Sequence, residues 1–196
     1  MSYEAVADGE LAAVVTYLEM LEPPPALEIP RGTLQLRHVT QPSAEQYRAL
    51  FRKVGAPWLW FSRLIMPDAE LEAIIRDPNV ELFEVAAVEA VVGMIELDFR
   101  EPGQCELAFI GLVPELAGQG HGHWLLAEAI RRAWRDGVKR VQVHTCSLDH
   151  PAAMGAYRRA GFIPYKRAIE RFPDPRLRGY LPKDCAPQIP LLGTPA

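Results

Sequence analysis

Cysteine is scarce in this sequence, and long hydrophobic runs are absent from it. The three cysteines, Cys105, Cys146 and Cys185, are odd in number and scattered, and no C-x-x-C pair occurs. This pattern does not indicate a disulfide framework, so we expect reduced thiols. No apolar run approaches the roughly 18 residues of a membrane span, so no membrane partner is predicted.

Positive charge is also limited. The chain carries 21 Lys and Arg against 25 Asp and Glu, a formal net charge of −4 at pH 7. Nucleic-acid grooves are basic, so this balance argues against a nucleic-acid partner and mildly favours a cationic or neutral ligand. The first ten residues, MSYEAVADGE, are acidic and do not resemble a secretory signal. We therefore expect a cytoplasmic protein.

What the chain does contain is the composition of an ordinary globular domain, with 49% apolar and 23% charged residues. Its 196 residues are enough for one domain with a full core. We predict this domain over residues 31–173. Residues 1–30 would form an N-terminal helix and a proline-rich connector, and residues 174–196 a tail along the surface.

The predicted N-terminal helix runs from Ala7 to Leu21. Asp8 supplies an N-cap, and an apolar stripe at helical spacing follows at Leu11, Val14, Val15, Leu18 and Leu21. The prolines from Pro23 to Pro25 then end the helix and start a stiff connector toward Ile29.

Strand and helix signals alternate through residues 31–173. Apolar residues at a period of about 2 predict strands, and a period of about 3.6 predicts helices. The predicted strands are Leu34–Thr40, Val80–Ala87, Ala90–Arg100, Cys105–Val113, Val138–Thr145 and Ile163–Phe172. The predicted helices are Ser43–Val54, Pro67–Arg76, a long one after Gly122, and Ala152–Ala160. This content predicts an α/β (α+β) fold, with a short hairpin connector at Val88-Glu89.

The most informative stretch runs from Glu106 to Trp134. Its strand ends at Pro114, which has no N–H to donate, and Gly118-Gln119-Gly120-His121-Gly122 leads into a helix. Glycines at every second position let the backbone approach an anion, and the helix N-terminus adds partial positive charge. The spacing matches neither the dinucleotide fingerprint nor the P-loop. We predict an anion site of another kind, with a simple tight turn as the alternative.

Two motifs resemble those of the GNAT superfamily of N-acetyltransferases. The V-P-E at the strand end, followed by G-x-G-x-G and an amphipathic helix, is similar to the acyl-CoA pyrophosphate loop of that family. The run from His150 to Phe162 is similar to its second signature, with Ala153, Tyr157 and Gly161 in register. The resemblance covers about residues 34–172. It implies a mixed, mostly antiparallel central sheet with helices on both faces, splayed to hold acyl-CoA.

The resemblance also implies acetyl-CoA as the acyl donor, with no metal. The pyrophosphate would lie on the glycine loop. Backbone groups at the end of the preceding strand would hold the pantetheine arm and polarise the thioester. The matching positions give these cofactor-binding residues: Leu112, Val113, Gly118, Gln119, Gly120, His121, Gly122, His123, His150 and Ala153.

The implied reaction is direct attack of an acceptor amine on acetyl-CoA in a ternary complex. Tyr157 stands where the family usually supplies the acid that protonates the leaving thiolate, with a core tyrosine as the alternative.

Glu106 is the predicted base, because some superfamily members place a glutamate base on this strand and bridge the gap to the reaction with water or the acceptor. Glu106 lies six residues before Leu112, about 20 Å away at roughly 3.3 Å per residue, so such a bridge and a strand bulge would be needed here. Strand alternation would put Glu106 on the same face as Leu112. The alternative bases are Glu96, Asp98 and water. Glu106 could alternatively be a solvated carboxylate at the strand end with no catalytic role.

An aromatic segment from Pro57 to Met66 is the predicted acceptor pocket, because the corresponding segment lines that pocket in the superfamily. A hydrophobic plug under the sheet is the alternative. The predicted substrate-binding residues are Trp58, Trp60, Phe61, Arg63 and Asp98. The acceptor would be a small-molecule or peptide amine, which the sequence does not identify. A homodimer is common among the proteins that this chain resembles.

The sequence also admits two further interpretations. His-x-His and His-x-Cys spacings suggest zinc, but two of these histidines lie in the glycine loop and no carboxylate partner is obvious, so no metal is predicted. The residues concerned are His121, His123, His144 and Cys146, with His150 close behind. The other interpretation is a non-catalytic acyl-CoA-binding or regulatory module, since a fold does not prove turnover.

Overall fold

The computed structural model describes residues 3–25, 32–88 and 90–193. The strands are β1 (Glu10–Met20), β2 (Gln35–Val39), β3 (Val80–Ala87), β4 (Ala90–Asp98), β5 (Gln104–Leu112), β6 (Arg140–Cys146) and β7 (Ile163–Pro173). The α-helices are α1 (Ala44–Gly55), α2 (Asp68–Ile75), α3 (His121–Ala133) and α4 (Ala153–Arg159).

The strands form one mixed sheet in the order β2-β3-β4-β5-β6-β1-β7. β5 and β6 pair in parallel, and the other neighbouring strands pair antiparallel. Helices α1 and α2 pack with Met94 on one face, and α3 and α4 pack with Ile95 on the other. We call these the α1 face and the α3 face. The predicted fold class is confirmed.

The predicted N-terminal helix from Ala7 to Leu21 is wrong. Residues Glu10–Met20 form β1, which lies between β6 and β7 and pairs with both. Ala13 and Val15 are buried on the same side of the strand as Leu11, which packs with Leu64 of the α1 face, whereas Leu18 and Met20 are buried toward the α3 face. Because the buried side changes in mid-strand, apolar residues recur at intervals of two and three. That spacing imitates a helix.

The C-terminal tail does not simply lie along the surface, as the sequence suggested. Asp174, Arg176, Leu181 and Ala186 are each less than 5% exposed. Leu181 and Ala186 belong to a small apolar cluster. The sequence does not predict this cluster, because its residues are scattered through a proline-rich segment and have no regular spacing.

The remaining predicted elements from Leu34 to Phe172 are present, with ends within a few residues of those predicted. Ser43 caps α1 through a capping box with Gln46, which satisfies two backbone N–H groups at the helix start. The predicted connector toward Ile29 and the turn residue Glu89 lie outside the described residues. Among helices in the described ranges, none combines the length and hydrophobicity that a bilayer span requires.

Candidate active site

The sheet opens between β5 and β6. Backbone pairing joins only Gln104–Glu106 to Arg140–Gln142, and the two strands then continue without pairing each other. β5 stays on β4 and β6 stays on β1, so the opening has a strand edge on each side. The N–H of Val113 donates to the Val92 carbonyl at 2.9 Å and therefore points toward β4. By alternation, the backbone groups of Leu112 point into the opening.

The glycine loop follows the end of β5 and leads into α3. Gly118 and Gly120 have φ values of 75° and 80°, left-handed conformations that favour glycine. Gly120 is the residue before the first turn of α3, which begins at His121. The Gln119 side chain turns back and donates to the Glu115 carbonyl at 2.9 Å. The loop is therefore built by its glycines.

The backbone N–H groups of this loop are available to a ligand. Within the described residues, no hydrogen-bond acceptor is found for the N–H groups from Gly118 to Gly122. A Cβ atom built on Gly118, Gly120 or Gly122 meets nothing within 4 Å, so the space above the loop is open. Unpaired N–H groups at a helix N-terminus suit a phosphate. The predicted pyrophosphate site fits these residues.

The second predicted cofactor segment lies at the start of α4. The Nδ1 atom of His150 accepts the Ala152 N–H at 3.1 Å, and the Ala153 N–H donates to the His150 carbonyl at 2.9 Å. The His150 ring also contacts Trp58 edge-on, with ring centroids 5.0 Å apart. One nitrogen of His150 is thus committed to organising the α4 start, which leaves the other for a ligand.

Tyr157 lies on α4, buried on the α3 face. Its ring packs edge-on against Phe162 at 5.9 Å, and its hydroxyl has no hydrogen-bond partner within the described part of the chain. Burial, and to a lesser extent the negative charge of Asp149, raise the pKa of Tyr157 above its ordinary value. The hydroxyl therefore keeps its proton across the physiological range, as a proton donor must.

Glu106 and His144 meet across the parallel pair where the sheet begins to open. Oε1 of Glu106 lies 3.1 Å from Nδ1 of His144, and the side chains are 35% and 46% exposed. The hydrogen bond to Glu106 raises the pKa of His144 above its ordinary value, and partial burial opposes that rise only in part. No described residue is bonded to Nε2 of His144, so that nitrogen can face a substrate.

The predicted face of Glu106 is wrong. β5 carries a bulge, because Leu97 pairs with Leu107 while the neighbouring Glu96 pairs with Phe109. The extra residue, Ala108, inverts the alternation beyond it. Glu106 therefore shares the α1 face with Phe109, whereas Leu112 packs on the α3 face.

Glu96, one alternative base, is fully buried and already bonded. One carboxylate oxygen accepts from Arg63 at 2.6 Å, and the other accepts the Tyr47 hydroxyl. The Arg63 guanidinium also lies over the Phe109 ring, and Arg63 is only 8% exposed. The Arg63 guanidinium, a predicted substrate contact, forms instead a buried ion pair that holds its segment onto β4.

Asp98, the other alternative base and a predicted substrate contact, lies apart from the aromatic residues. Arg100 bonds both of its carboxylate oxygens, the shorter ion-pair distance being 2.6 Å. Burial raises the pKa of Asp98, but the hydrogen bonds from Arg100 outweigh this and leave the pKa below its usual value. Asp98 and Glu106 line one polar cavity of about 250 Å³.

The aromatic segment, Pro57 to Met66, spans the α1 face above the opening. Trp60 packs on Phe51 and Phe109, with ring centroids 5.5 and 5.2 Å away. Phe61 reaches β7 and packs on Phe172 at 4.9 Å. A Cβ on Gly55 would come within 2.5 Å of Trp60, so this glycine is required for the close approach. Trp60 packs against the apolar core of the α1 face, as the interpretation of a hydrophobic plug predicts, and the acceptor pocket stays a prediction.

Asp149 is a site residue that the sequence did not reveal. Its carboxylate accepts from Thr145 Oγ1 and the Cys146 N–H, each at 2.8 Å, and from the Trp60 indole at 3.3 Å. It therefore connects the β6–α4 loop to the aromatic segment. Asp149 lies four residues after Thr145 in a polar loop, and no motif marks it.

The sequence suggests His144 only as a metal-ligand candidate, although its strand runs parallel to that of Glu106.

The zinc interpretation finds no support in the geometry. Among the described residues, no group of three or more His, Cys, Asp or Glu side chains could hold a metal ion. His144 is paired with Glu106, and burial raises the pKa of the Cys146 thiol to about 11.

Comparison with known families identifies the central part of the chain. Residues 45–162, more than half of the sequence, match the model of the Acetyltransferase (GNAT) family. No curated protein sequence matches the chain.

Solved structures share the fold at low sequence identity. A GCN5-related N-acetyltransferase from Sphaerobacter thermophilus is 22% identical, with a TM-score of 0.57 over 85% of this chain and 52% of that chain. An aminoglycoside acetyltransferase from an uncultured soil metagenomic sample is 16% identical, with a TM-score of 0.53 over 66% and 88%. A transcriptional regulator from Bacillus halodurans is 20% identical, with a TM-score of 0.53 over 70% and 97%. This chain spans about half the length of the Sphaerobacter protein.

Proposed function

Because this chain belongs to the GNAT acetyltransferase family, we propose that it transfers an acetyl group from acetyl-CoA to an acceptor amine by direct attack in a ternary complex. One observation carries the proposal. The backbone N–H groups from Gly118 to Gly122 lack acceptors among the described residues, and they follow the strand that borders the opening in the sheet. Such groups bind a pyrophosphate without any side-chain cation.

The acyl donor would lie along the free edge of β5. Its pyrophosphate would sit on the glycine loop, next to His121 and His123. The pantetheine arm would run past the backbone of Leu112 toward the start of α4, where His150 and Ala153 lie. Backbone donors aimed at the thioester oxygen would polarise the carbonyl.

In this proposal, the pair formed by Glu106 and His144 acts as the general base. Above the raised pKa of His144, the imidazole is neutral, and Nε2 can take a proton from the acceptor ammonium through bridging water, because Glu106 lies six residues before Leu112 on β5. Glu106 holds the Nδ1–H and stabilises the imidazolium that forms. The freed nitrogen lone pair then attacks the thioester carbonyl carbon, from the α1 face.

Tyr157 is the acid. When the carbon–sulfur bond breaks, the electron pair stays on sulfur, and the phenol proton neutralises the thiolate as it leaves. The raised pKa of Tyr157 means that the residue still carries its proton when the thiolate forms. The acetylated amine loses its remaining proton to solvent, His144 releases the proton that it took, and Tyr157 regains one from solvent, so that both groups are restored.

The acceptor would be a small-molecule or peptide amine. It would approach between the aromatic segment and the polar cavity beside Asp98 and Glu106. The ion pair of Asp98 with Arg100 supports a polar acceptor, because an apolar one would leave both charges desolvated without new partners. The free cysteines are in keeping with a cytoplasmic location. Association as a homodimer stays a prediction.

A non-catalytic acyl-CoA-binding module is the second candidate, because the same loop would serve it equally well. Calorimetry with acetyl-CoA and an assay of thiol release with a panel of amines distinguish the two. Tight binding together with amine-dependent thiol release supports the enzyme. Binding without release from any amine, unchanged in a Tyr157→Phe variant, supports the module. Absence of binding rejects both.

A further inference from the structure

We call residues 174–193 the clasp. The clasp follows β7 directly and lies outside residues 45–162, the part that matches the family. Family membership therefore assigns the clasp no role. The contacts between the clasp and the candidate active site indicate one.

Arg176 organises the clasp from within. Its side chain is 2% exposed and forms an ion pair at 2.7 Å with Asp174, which is equally buried. The same guanidinium donates to the carbonyl oxygens of Cys185, Ala186 and Ile189, at 3.4, 3.4 and 2.8 Å. One buried cation thus ties the first residues of the clasp to its far end, and a carboxylate and three carbonyl dipoles satisfy it.

The clasp packs on the aromatic segment. Leu181 and Ala186 form one buried cluster with Leu59, which lies between Trp58 and Trp60. Gln188 Nε2 donates to the Pro57 carbonyl at 2.6 Å. Leu59 has φ 57°, a left-handed conformation that a leucine keeps only where its surroundings impose it. The clasp supplies part of those surroundings.

The same cluster reaches the loop that carries Asp149. Leu148 packs against it, and the adjacent Asp149 accepts from the Trp60 indole at 3.3 Å. Phe61 packs on Phe172, at the end of β7 just before the clasp begins. The aromatic segment is therefore held from the β6–α4 loop, from β7 and from the clasp.

We propose that the clasp, through Arg176, positions the aromatic segment and so determines which amines the acceptor site admits. The inference rests on the proposed function, since that function assigns the segment to the acceptor. Arg176 is a positioning residue, because its bonds run to the clasp rather than to either substrate. Loosening the clasp should alter the acceptor side of the site and leave the acetyl-CoA loop before α3 unchanged.

Hydrogen exchange on the full-length protein tests this without needing catalysis. The variant is Arg176→Gln, and the matched control is Arg178→Gln, an exposed arginine of the same segment. The reporters are the N–H groups of Trp60 and Leu64, which bond to Gly55 and Phe61 at 3.1 and 2.8 Å. Arg176→Gln should speed their exchange by at least about tenfold, as for a lost hydrogen bond to a charged group. Exchange in α3 should stay at the wild-type rate.

Kinetics supply the functional half of the test. With an accepted amine, Arg176→Gln should raise the acceptor KM by about tenfold and leave the KM for acetyl-CoA unchanged. Gln188→Ala keeps the Arg176 bonds and should raise the acceptor KM by about fivefold, the factor for one neutral hydrogen bond.

Uniformly faster exchange, or a parallel rise in both KM values, would mean that Arg176 serves only overall stability and would overturn the inference. If Arg176→Gln does not fold, Gln188→Ala decides, and unchanged exchange at Trp60 and Leu64 refutes positioning. If the wild-type protein acetylates no amine, the proposed function fails. The exchange data then still show whether the clasp holds the aromatic segment.

Discussion

His144 Nδ1 and Glu106 Oε1 lie 3.1 Å apart at the point where β5 and β6 separate: Glu106 is the last paired residue of β5, and His144 lies two residues beyond its partner Gln142. A carboxylate in this position orients the imidazole and favours its protonated form. The pair faces the α1 side of the opening, and Tyr157 lies on the α3 side. The proposed proton acceptor and the proposed proton donor therefore lie on opposite faces of one opening.

Replacing Glu106 with Gln should shift the pH dependence of turnover. In the wild type, turnover should rise as His144 loses its proton, with a midpoint above the ordinary value of about 6.5. Without the carboxylate the pKa of His144 falls, so the acidic limb should move to lower pH. Misorientation of the imidazole should also lower turnover by at least about tenfold.

The measurement is a pH–rate profile for Glu106→Gln, His144→Gln and the control His38→Gln, an exposed histidine on β2. His144→Gln should abolish the acidic limb, and His38→Gln should match the wild type. Loss of the limb in Glu106→Gln with a normal limb in His144→Gln would make Glu106 itself the base. Unaltered profiles in both Glu106→Gln and His144→Gln would leave water as the proton acceptor.

Replacing Tyr157 with Phe should lower turnover by about 10² to 10⁴, the usual worth of a positioned acid. Affinity for acetyl-CoA should change little, because the hydroxyl has no bonded partner among the described residues. Tyr180→Phe, which removes a hydroxyl from an exposed tyrosine of the clasp, is the control. The raised pKa of Tyr157 also predicts no loss of activity from its ionisation up to about pH 10. Wild-type turnover in Tyr157→Phe would make this residue a packing group only.

Replacing Gly120 with Val should abolish acetyl-CoA binding measured by calorimetry. The side chain would enter the open space where the phosphate is expected, and the left-handed backbone at φ 80° would be strained. Gly137→Val is the matched control, because Gly137 has φ 88° and equally open surroundings away from the loop. Both variants should lose about 1–2 kcal/mol of stability. Equal affinities in the two variants would reject the pyrophosphate site.

Replacing Glu96 with Gln should cost about 3–5 kcal/mol in the free energy of unfolding by urea, because Arg63 would stay buried without its charge partner. Glu72→Gln, which breaks the partly exposed pair with Arg76, should cost at most about 1 kcal/mol. The double variant Arg63→Met/Glu96→Gln should lose less than the sum of its single variants. A small loss in Glu96→Gln would show that the pair contributes little.

What the sequence by itself determined is the part that local chemistry dictates. The glycine loop, the cap at Ser43, the helices and the strands from Leu34 onward depend on neighbouring residues, and their predicted positions are confirmed. The resemblance of the loop and of the His150–Phe162 run identified the family, because both motifs are continuous in the chain.

Only the tertiary structure decided which distant residues meet. The sequence predicts a helix at β1, because the buried side of the strand changes between Val15 and Leu18 and the apolar residues then have helix-like spacing. That change depends on what covers each half of the strand. The bulge at Ala108 put Glu106 on the other face, and strand pairing brought it to His144. The ion pair of Arg63 with Glu96 joins residues 33 positions apart. Such contacts depend on how the strands are ordered and paired, and no local pattern of side chains encodes that order.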